Sequence, residues 1–332
     1  MTYKSILVVN ALNGSLPLVL RKRYPSATIT CAEAFPFFRA HLAKLGFEVT
    51  DWDTIGDMKF DLVIGNPPYQ NTHGAKRWPI WHDFVVKSIE LSSQHVVLVT
   101  PSSWIGAGSY PAKDEIWNHL QTCNLDVQKY FDVGSTFSWF QLDVTTHSDS
   151  FELISDGKSY TIPKTLNWLP AKIDLCSLSI NSKVFNKPCF EFRRGECHTS
   201  QKHKFGDTGW RVFHTHAQEL FYVDEPANYK KTKVAFTLSG DTKPKIGSLF
   251  GMSQATAYAV IDKNHKKTAQ SVFGGKLFQW ILQNNKWSGW NSLDVIKQLP
   301  HVDLDRSWTD QQLYQLFDLS AEEISYVETH VK

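Results

Sequence analysis

Asn66-Pro67-Pro68-Tyr69 follows the apolar run Phe60-Asp61-Leu62-Val63-Ile64-Gly65. The run reads as a buried strand, and its carboxyl end delivers the tetrapeptide to the edge where open α/β sheets hold their ligands. Two consecutive prolines fix φ twice and remove two backbone donors, so the loop is stiff. It aims the Asn66 amide, the Pro67 carbonyl and the Tyr69 ring into one pocket. An amide oxygen and a main-chain carbonyl together accept both hydrogens of an exocyclic amine, while the ring offers a face for a planar group. These residue types suit recognition of an aromatic amine. The bland alternative is a proline turn without chemistry.

Further candidates stand at the ends of neighbouring apolar runs. Glu33 follows Ala27-Thr28-Ile29-Thr30-Cys31, where a carboxylate can take both hydroxyls of a ribose. Asp51-Trp52 follows in turn, and there an acid can accept from an adenine amino group while an indole covers the ring. Asp53 competes with Asp51, and each acid can equally be an ordinary loop residue. The first run, Ser5 to Val9, leads into Asn10-Ala11-Leu12-Asn13-Gly14-Ser15. With one glycine and two asparagines this turn tolerates left-handed geometry.

These loops need a scaffold. The runs at Ser5–Val9, Ala27–Cys31, Phe60–Gly65 and His95–Val99 alternate with helical stretches, among them Pro79 to Ser93 with its apolar stripe. This predicts an α/β domain over residues 1–165, a mostly parallel, doubly wound sheet. Val127–Val133 and Leu142–Leu153 are expected to complete it as a terminal antiparallel hairpin. Past Lys164 the alternation stops. Residues 166–332 are expected to form a smaller mixed α+β domain, closed by two helices that the capping boxes Thr309–Gln312 and Ser320–Glu323 open.

Composition bounds the rest. The 332 residues, 42% hydrophobic and 20% charged, can build two cores. No stretch is long and apolar enough to span a bilayer, and Met1 leads into a strand pattern without signal-peptide architecture, so a cytoplasmic protein is expected. The five cysteines are scattered, with no paired C-x-x-C spacing. His214-Thr215-His216 could ligate a metal, but packing or surface roles are the expectation, and no metal site is assigned. Net charge is only +2. Between Asn228 and Pro300, however, eleven lysines face three aspartates, with Trp280, Trp287 and Trp290 interleaved. Lys230, Lys231 and Lys233 are the candidates for phosphate contact, against the plainer reading of a solvated lysine-rich face.

Phe-Asp-Leu-Val-Ile-Gly-Asn-Pro-Pro-Tyr resembles the catalytic motif of S-adenosylmethionine-dependent adenine-N6 DNA methyltransferases, and the order of motifs resembles the Eco57I-type restriction-modification methylases. The likeness covers residues 1–155, and Trp308–Tyr314 resembles the terminal segment of those enzymes. It implies a Rossmann-like catalytic domain over 1–165 and a target-recognition domain for double-stranded DNA over 166–332. By the same likeness S-adenosyl-L-methionine is the cofactor, met by Asn10, Leu12 and Gly14 of the first loop, Glu33, Asp51 and Trp52. A flipped-out adenine would meet Asn66, Pro67, Pro68 and Tyr69. Phe137 stands where related enzymes place an aromatic against the extruded base, with Trp139 and Phe140 as rivals and core packing as the plain reading. Similar loops serve RNA and protein-glutamine methyltransferases. Those substrates stay open, as does a nucleic-acid-binding protein with a degenerate methyltransferase fold.

Overall fold

The computed structural model describes residues 2–71, 79–108, 110–131, 136–185, 187–286 and 291–331. The chain divides into two compact units, Met1–Ile105 with Ser109–Asn167, and Gly106–Gly108 with Trp168–Lys332.

The first unit is built on one sheet. Its strands are β1 (Ser5–Val9), β2 (Thr28–Ala32), β3 (Glu48–Thr50), β4 (Phe60–Gly65), β5 (Ser92–Pro101), β6 (Leu120–Asn124), β7 (Phe137–Asp143), β8 (Ser150–Ser155) and β9 (Lys158–Pro163). They lie in the order β3-β2-β1-β4-β5-β7-β6-β8-β9. The first five are parallel, and β7 enters antiparallel between β5 and β6. This is the Rossmann-like sheet of class-I methyltransferases, as expected. Helices α1 (Ser15–Arg23), α2 (Pro36–Lys44), α3 (Trp81–Leu91) and α4 (Lys113–His119) connect it. Ile6, Leu7, Val8 and Val9 are all fully buried, as a parallel strand covered on both faces requires. Strand order reverses between β1 and β4, which makes the crevice beyond their carboxyl ends the topological switch point. At that point the backbones nearly touch. A Cβ on Gly65 would lie 2.2 Å from the Val9 carbonyl oxygen, so only glycine fits.

Two boundaries differ from the sequence expectation. Asp126–Tyr130 is a 3-10 helix and not part of a strand; the Asn124 side chain accepts from the Asp126 N–H and turns the chain there. Leu120–Asn124 supplies the pairing strand instead. Leu142–Leu153 splits between β7 and β8, because Asp143 accepts from the Thr145 N–H and from the hydroxyls of Thr145 and Thr146, which bends the chain out of the sheet. A further hairpin, β8–β9, closes on Asp156-Gly157 at φ 52° and 71°, the geometry of a two-residue primed turn.

The second unit holds two four-stranded sheets. One runs β10 (Arg193–Arg194), β17 (Thr256–Val260), β14 (Lys233–Thr237), β15 (Lys245–Gly247), and the other β11 (Phe205–Gly206), β13 (Gln218–Tyr222), β12 (Trp210–Thr215), β16 (Gly251–Met252). Its helices are α5 (Leu175–Val184), α6 (Lys266–Phe273), α7 (Lys276–Asn284), α8 (Leu293–Lys297), α9 (Asp310–Leu316) and α10 (Ala321–His330). Both expected capping boxes form, Thr309 with Gln312 and Ser320 with Glu323. The two units are of nearly equal length, so the second is not the smaller addition expected. Trp280 is buried, its ring edge-on to Tyr326; it packs in the core and does not interleave with surface lysines. Trp287 and Trp290 lie outside the described residues. Among the described residues no helix is long and apolar enough to cross a membrane.

Candidate functional site

The tetrapeptide leaves β4 at the switch point. Asn66 is exposed, Pro67 buried, and Pro68 and Tyr69 half-buried. The Tyr69 hydroxyl donates to Asn66 Oδ1 at 2.5 Å, and the Tyr69 carbonyl accepts from the Ile80 N–H at 3.1 Å. The Tyr69 ring lies 5.0 Å from Phe137, tilted by 42°. Phe137 is in turn stacked on Phe131 at 4.2 Å. Its backbone is fixed by a bond from the Phe137 N–H to Gln128 Oε1. Phe137 therefore belongs with Tyr69, whereas its rival Phe140 is fully buried against Trp104. Phe131 was not foreseen, because nothing in the sequence tells that a ring six residues earlier will back it.

Burial pushes the Tyr69 phenol up to about 12, against a smaller lowering by Asn66. The phenol stays protonated at neutral pH and is a donor, not a base.

The loop after β1 passes through left-handed geometry three times, at Asn10 (φ 58°), Leu12 (φ 46°) and Gly14 (φ 83°). Asn10 Nδ2 donates to the Asn66 carbonyl at 2.7 Å, and its N–H donates to the Ala32 carbonyl at 2.9 Å. Gly14 caps the start of α1 at a left-handed φ that favours glycine, and a Cβ there would also press on Leu45 Cδ1 at 2.9 Å. Glu33 is 1% exposed. Its carboxylate accepts from the Leu12 N–H at 2.8 Å and the Phe35 N–H at 3.0 Å. It thereby braces two loops, because buried backbone donors must find acceptors.

Beside these loops lies a cavity of about 220 Å³. Val9, Asn10, Ala32, Ala34, Phe35, Trp52, Pro68, Gln70, Asn71, Ile80 and Phe84 line it. One face of Trp52 is covered by Phe84, stacked at 4.7 Å and 15°, and Lys87 donates to the Trp52 carbonyl. The volume is below the roughly 300–1,000 Å³ of sites that enclose a whole drug-sized ligand. Its mainly apolar walls fit one flat ring system, such as the adenine end of a nucleoside. Asp51 stands apart from this lining. It pairs with Arg39 at 3.1 Å and accepts from the Asp53 N–H at 3.0 Å.

The lysines of the second unit separate on burial. Lys230 is exposed and 3.4 Å from Glu225, and Lys231 is exposed. Lys233 opens the buried strand β14 and is 0% exposed. Its ammonium donates to the carbonyls of Asn228, Tyr229 and Lys231 at 2.8, 3.2 and 2.9 Å. Buried in this way, it does not present its charge to a phosphate, contrary to expectation. Lys245 and Lys276 are likewise paired, with Glu219 and Glu328. His214 bonds Ser253, while His216 bonds the Lys243 carbonyl.

Residues 25–137 match the family model described as Eco57I restriction-modification methylase. Over 80 residues the chain is 35% identical to an uncharacterized adenine-specific methylase of Mycoplasma pneumoniae, a stretch making up 22% of this chain and 18% of that protein. The chain thus spans less than a fifth of the length of the curated relative it matches. Among solved structures it is similar to the plantazolicin methyltransferase BpumL in complex with SAH, at 16% identity, a TM-score of 0.25, and coverage of 30% of this chain and 40% of that one. Coclaurine N-methyltransferase bound to N-methylheliamine and SAH gives 15% identity and a TM-score of 0.25, covering 29% of this chain and 30% of that one. Over residues 25–137 the first unit is thus similar to Eco57I-type methylases, and its sheet is of the Rossmann-like kind typical of class-I methyltransferases.

Proposed function

We propose that this protein transfers the methyl group of S-adenosyl-L-methionine to the N6 amine of adenine in double-stranded DNA. The observation that carries this reading is the meeting, at the switch point, of the Asn66 acceptor, the Tyr69–Phe137 ring pair and an aromatic-walled cavity large enough for one adenine. Trp52, Phe35 and Pro68 would hold the adenine end of the cofactor, which when bound supplies an electrophilic sulfonium methyl. The target amine is a poor nucleophile because its lone pair is conjugated into the purine. Asn66 Oδ1 and the Pro67 carbonyl, by accepting its two hydrogens, would draw that lone pair out of conjugation and orient it. Positioning and electrostatics then suffice without a strong base, and the proton that the methylated nitrogen must shed would pass to solvent. Tyr69, a phenol at any physiological pH, first has to release its bond to Asn66. Its ring would stack on the extruded base and, with Phe137, offset the few kcal/mol that flipping costs.

The test is incubation with unmodified DNA and cofactor, followed by mapping of modified bases by single-molecule sequencing. N6-methyladenine at a fixed short sequence is expected. Methylation confined to RNA or to a protein glutamine would reject the substrate. DNA binding is expected to weaken steeply with salt, and reversing the charges of Lys230 and Lys231 together is expected to weaken it on all sequences alike, since phosphate contacts position without specifying.

Trp52→Ala is expected to weaken cofactor binding by roughly 1–3 kcal/mol through lost aromatic packing. Calorimetric titration reads this directly, and an unchanged isotherm would move the cofactor away from this cavity.

A further inference from the structure

We infer that Asn10 is a positioning residue that ties the cofactor side of the site to the amine acceptor, so that both move as one piece. This rests on the methyl-transfer reading. Asn10 makes three attachments at once. It lines the cavity, its N–H is held by Ala32 at the end of β2, and its side-chain amide holds the Asn66 carbonyl at the end of β4. The Asn66 carbonyl belongs to the same residue whose Oδ1 would receive the substrate amine, and it precedes two prolines that transmit its orientation to Tyr69.

The residue type follows from the geometry. At φ 58° glycine, asparagine and aspartate are tolerated. Of these only asparagine carries an N–H that can reach across to another strand's carbonyl. A glycine would make the turn and leave the Asn66 loop untied. An aspartate would make the turn and set a carboxylate against the carbonyl. The glycine-poor first loop thus uses left-handed asparagine both to turn and to tether.

The choice of variants follows. Asn10→Gly and Asn10→Asp both keep the turn and remove the donor, whereas Asn10→Ala would add left-handed strain and confuse the result. Two readouts are taken on the full chain. Peptide-resolved hydrogen exchange over Gly65 to Gln70 is expected to accelerate in both variants, and an unchanged rate overturns the tether whether or not any substrate is methylated. On unmodified DNA, kcat is expected to fall about tenfold, the rate equivalent of one hydrogen bond, with cofactor Kd shifted less than that. An unaltered kcat overturns the inference. So does a Kd that rises in proportion to the loss in rate, which would make Asn10 a cofactor ligand only. A wild-type protein that methylates no DNA, while exchange still responds to both variants, would reject the proposed function and leave the tether standing.

Discussion

Asn66→Ala is expected to lower methyl transfer by about 10²–10³-fold, the size of effect seen when one preorganised hydrogen-bonding group is removed from a reacting centre. Cofactor affinity is expected to stay close to that of the wild type. Asn66 is exposed and absent from the cavity lining, which its neighbours Asn10 and Pro68 share. The loss should therefore appear in kcat and not in titration with S-adenosylmethionine. Asn66→Asp keeps an acceptor oxygen in the same place and is expected to retain part of the activity. The comparison also separates Asn66 from Tyr69. The Tyr69 hydroxyl occupies Asn66 Oδ1, so on the proposed reading an incoming amine would exchange with it. Tyr69→Phe removes that competitor and keeps the stacking face. Substantial transfer by Asn66→Ala, measured with labelled cofactor at saturating DNA, would sink the assignment of the acceptor.

Much of this site was legible because it is local. The tetrapeptide, the strand before it and its place at the sheet edge are fixed by consecutive residues. The apolar period of Trp81, Val85 and Leu91 likewise shows α3 directly. What is not legible depends on partners distant in sequence. Glu33 looked free for a ribose until Leu12, 21 residues earlier, brought its N–H to it. Asp51 looked free for an adenine amine until Arg39 paired with it. Val127–Val133, whose last two residues lie outside the described ones, reads as a strand, but the Asn124 side chain turns the backbone just before it. Periodicity does not register a competing side-chain bond of this kind.

Lys233 is the clearest failure and yields the second large effect. In Lys230-Lys231-Thr232-Lys233 three cations read as one solvated run, yet Val234, Ala235, Phe236 and Thr237 of β14 are all buried, and the strand takes its first residue inside with them. Lys233→Met keeps much of the volume and leaves the carbonyls of Asn228, Tyr229 and Lys231 without their donor. The expected destabilisation of the second unit is about 1–3 kcal/mol, typical of leaving buried acceptors without their donor, and appreciable beside a total of roughly 5–15 kcal/mol. Denaturant titration followed by a probe in that unit measures it, and a loss below about 1 kcal/mol would show that water replaces the ammonium freely. The pH dependence gives an independent sign. Burial holds the Lys233 ammonium down to about 8, opposed only by the charge of Glu196, whereas in the unfolded chain a lysine titrates near roughly 10.4. Between these values the unfolded chain binds a proton that the folded chain has released, so the group's contribution to stability rises with pH. The wild-type stability minus that of Lys233→Met should be level below pH 8 and climb above it, a difference that cancels the cysteines and tyrosines ionising in the same range. A flat or falling difference would mean that the ammonium is not held in a dry site. The same three bonds shape the turn that carries Lys230 and Lys231 on the surface, so a chain lacking them should also bind DNA less tightly while its salt dependence, set by the exposed lysines, is retained.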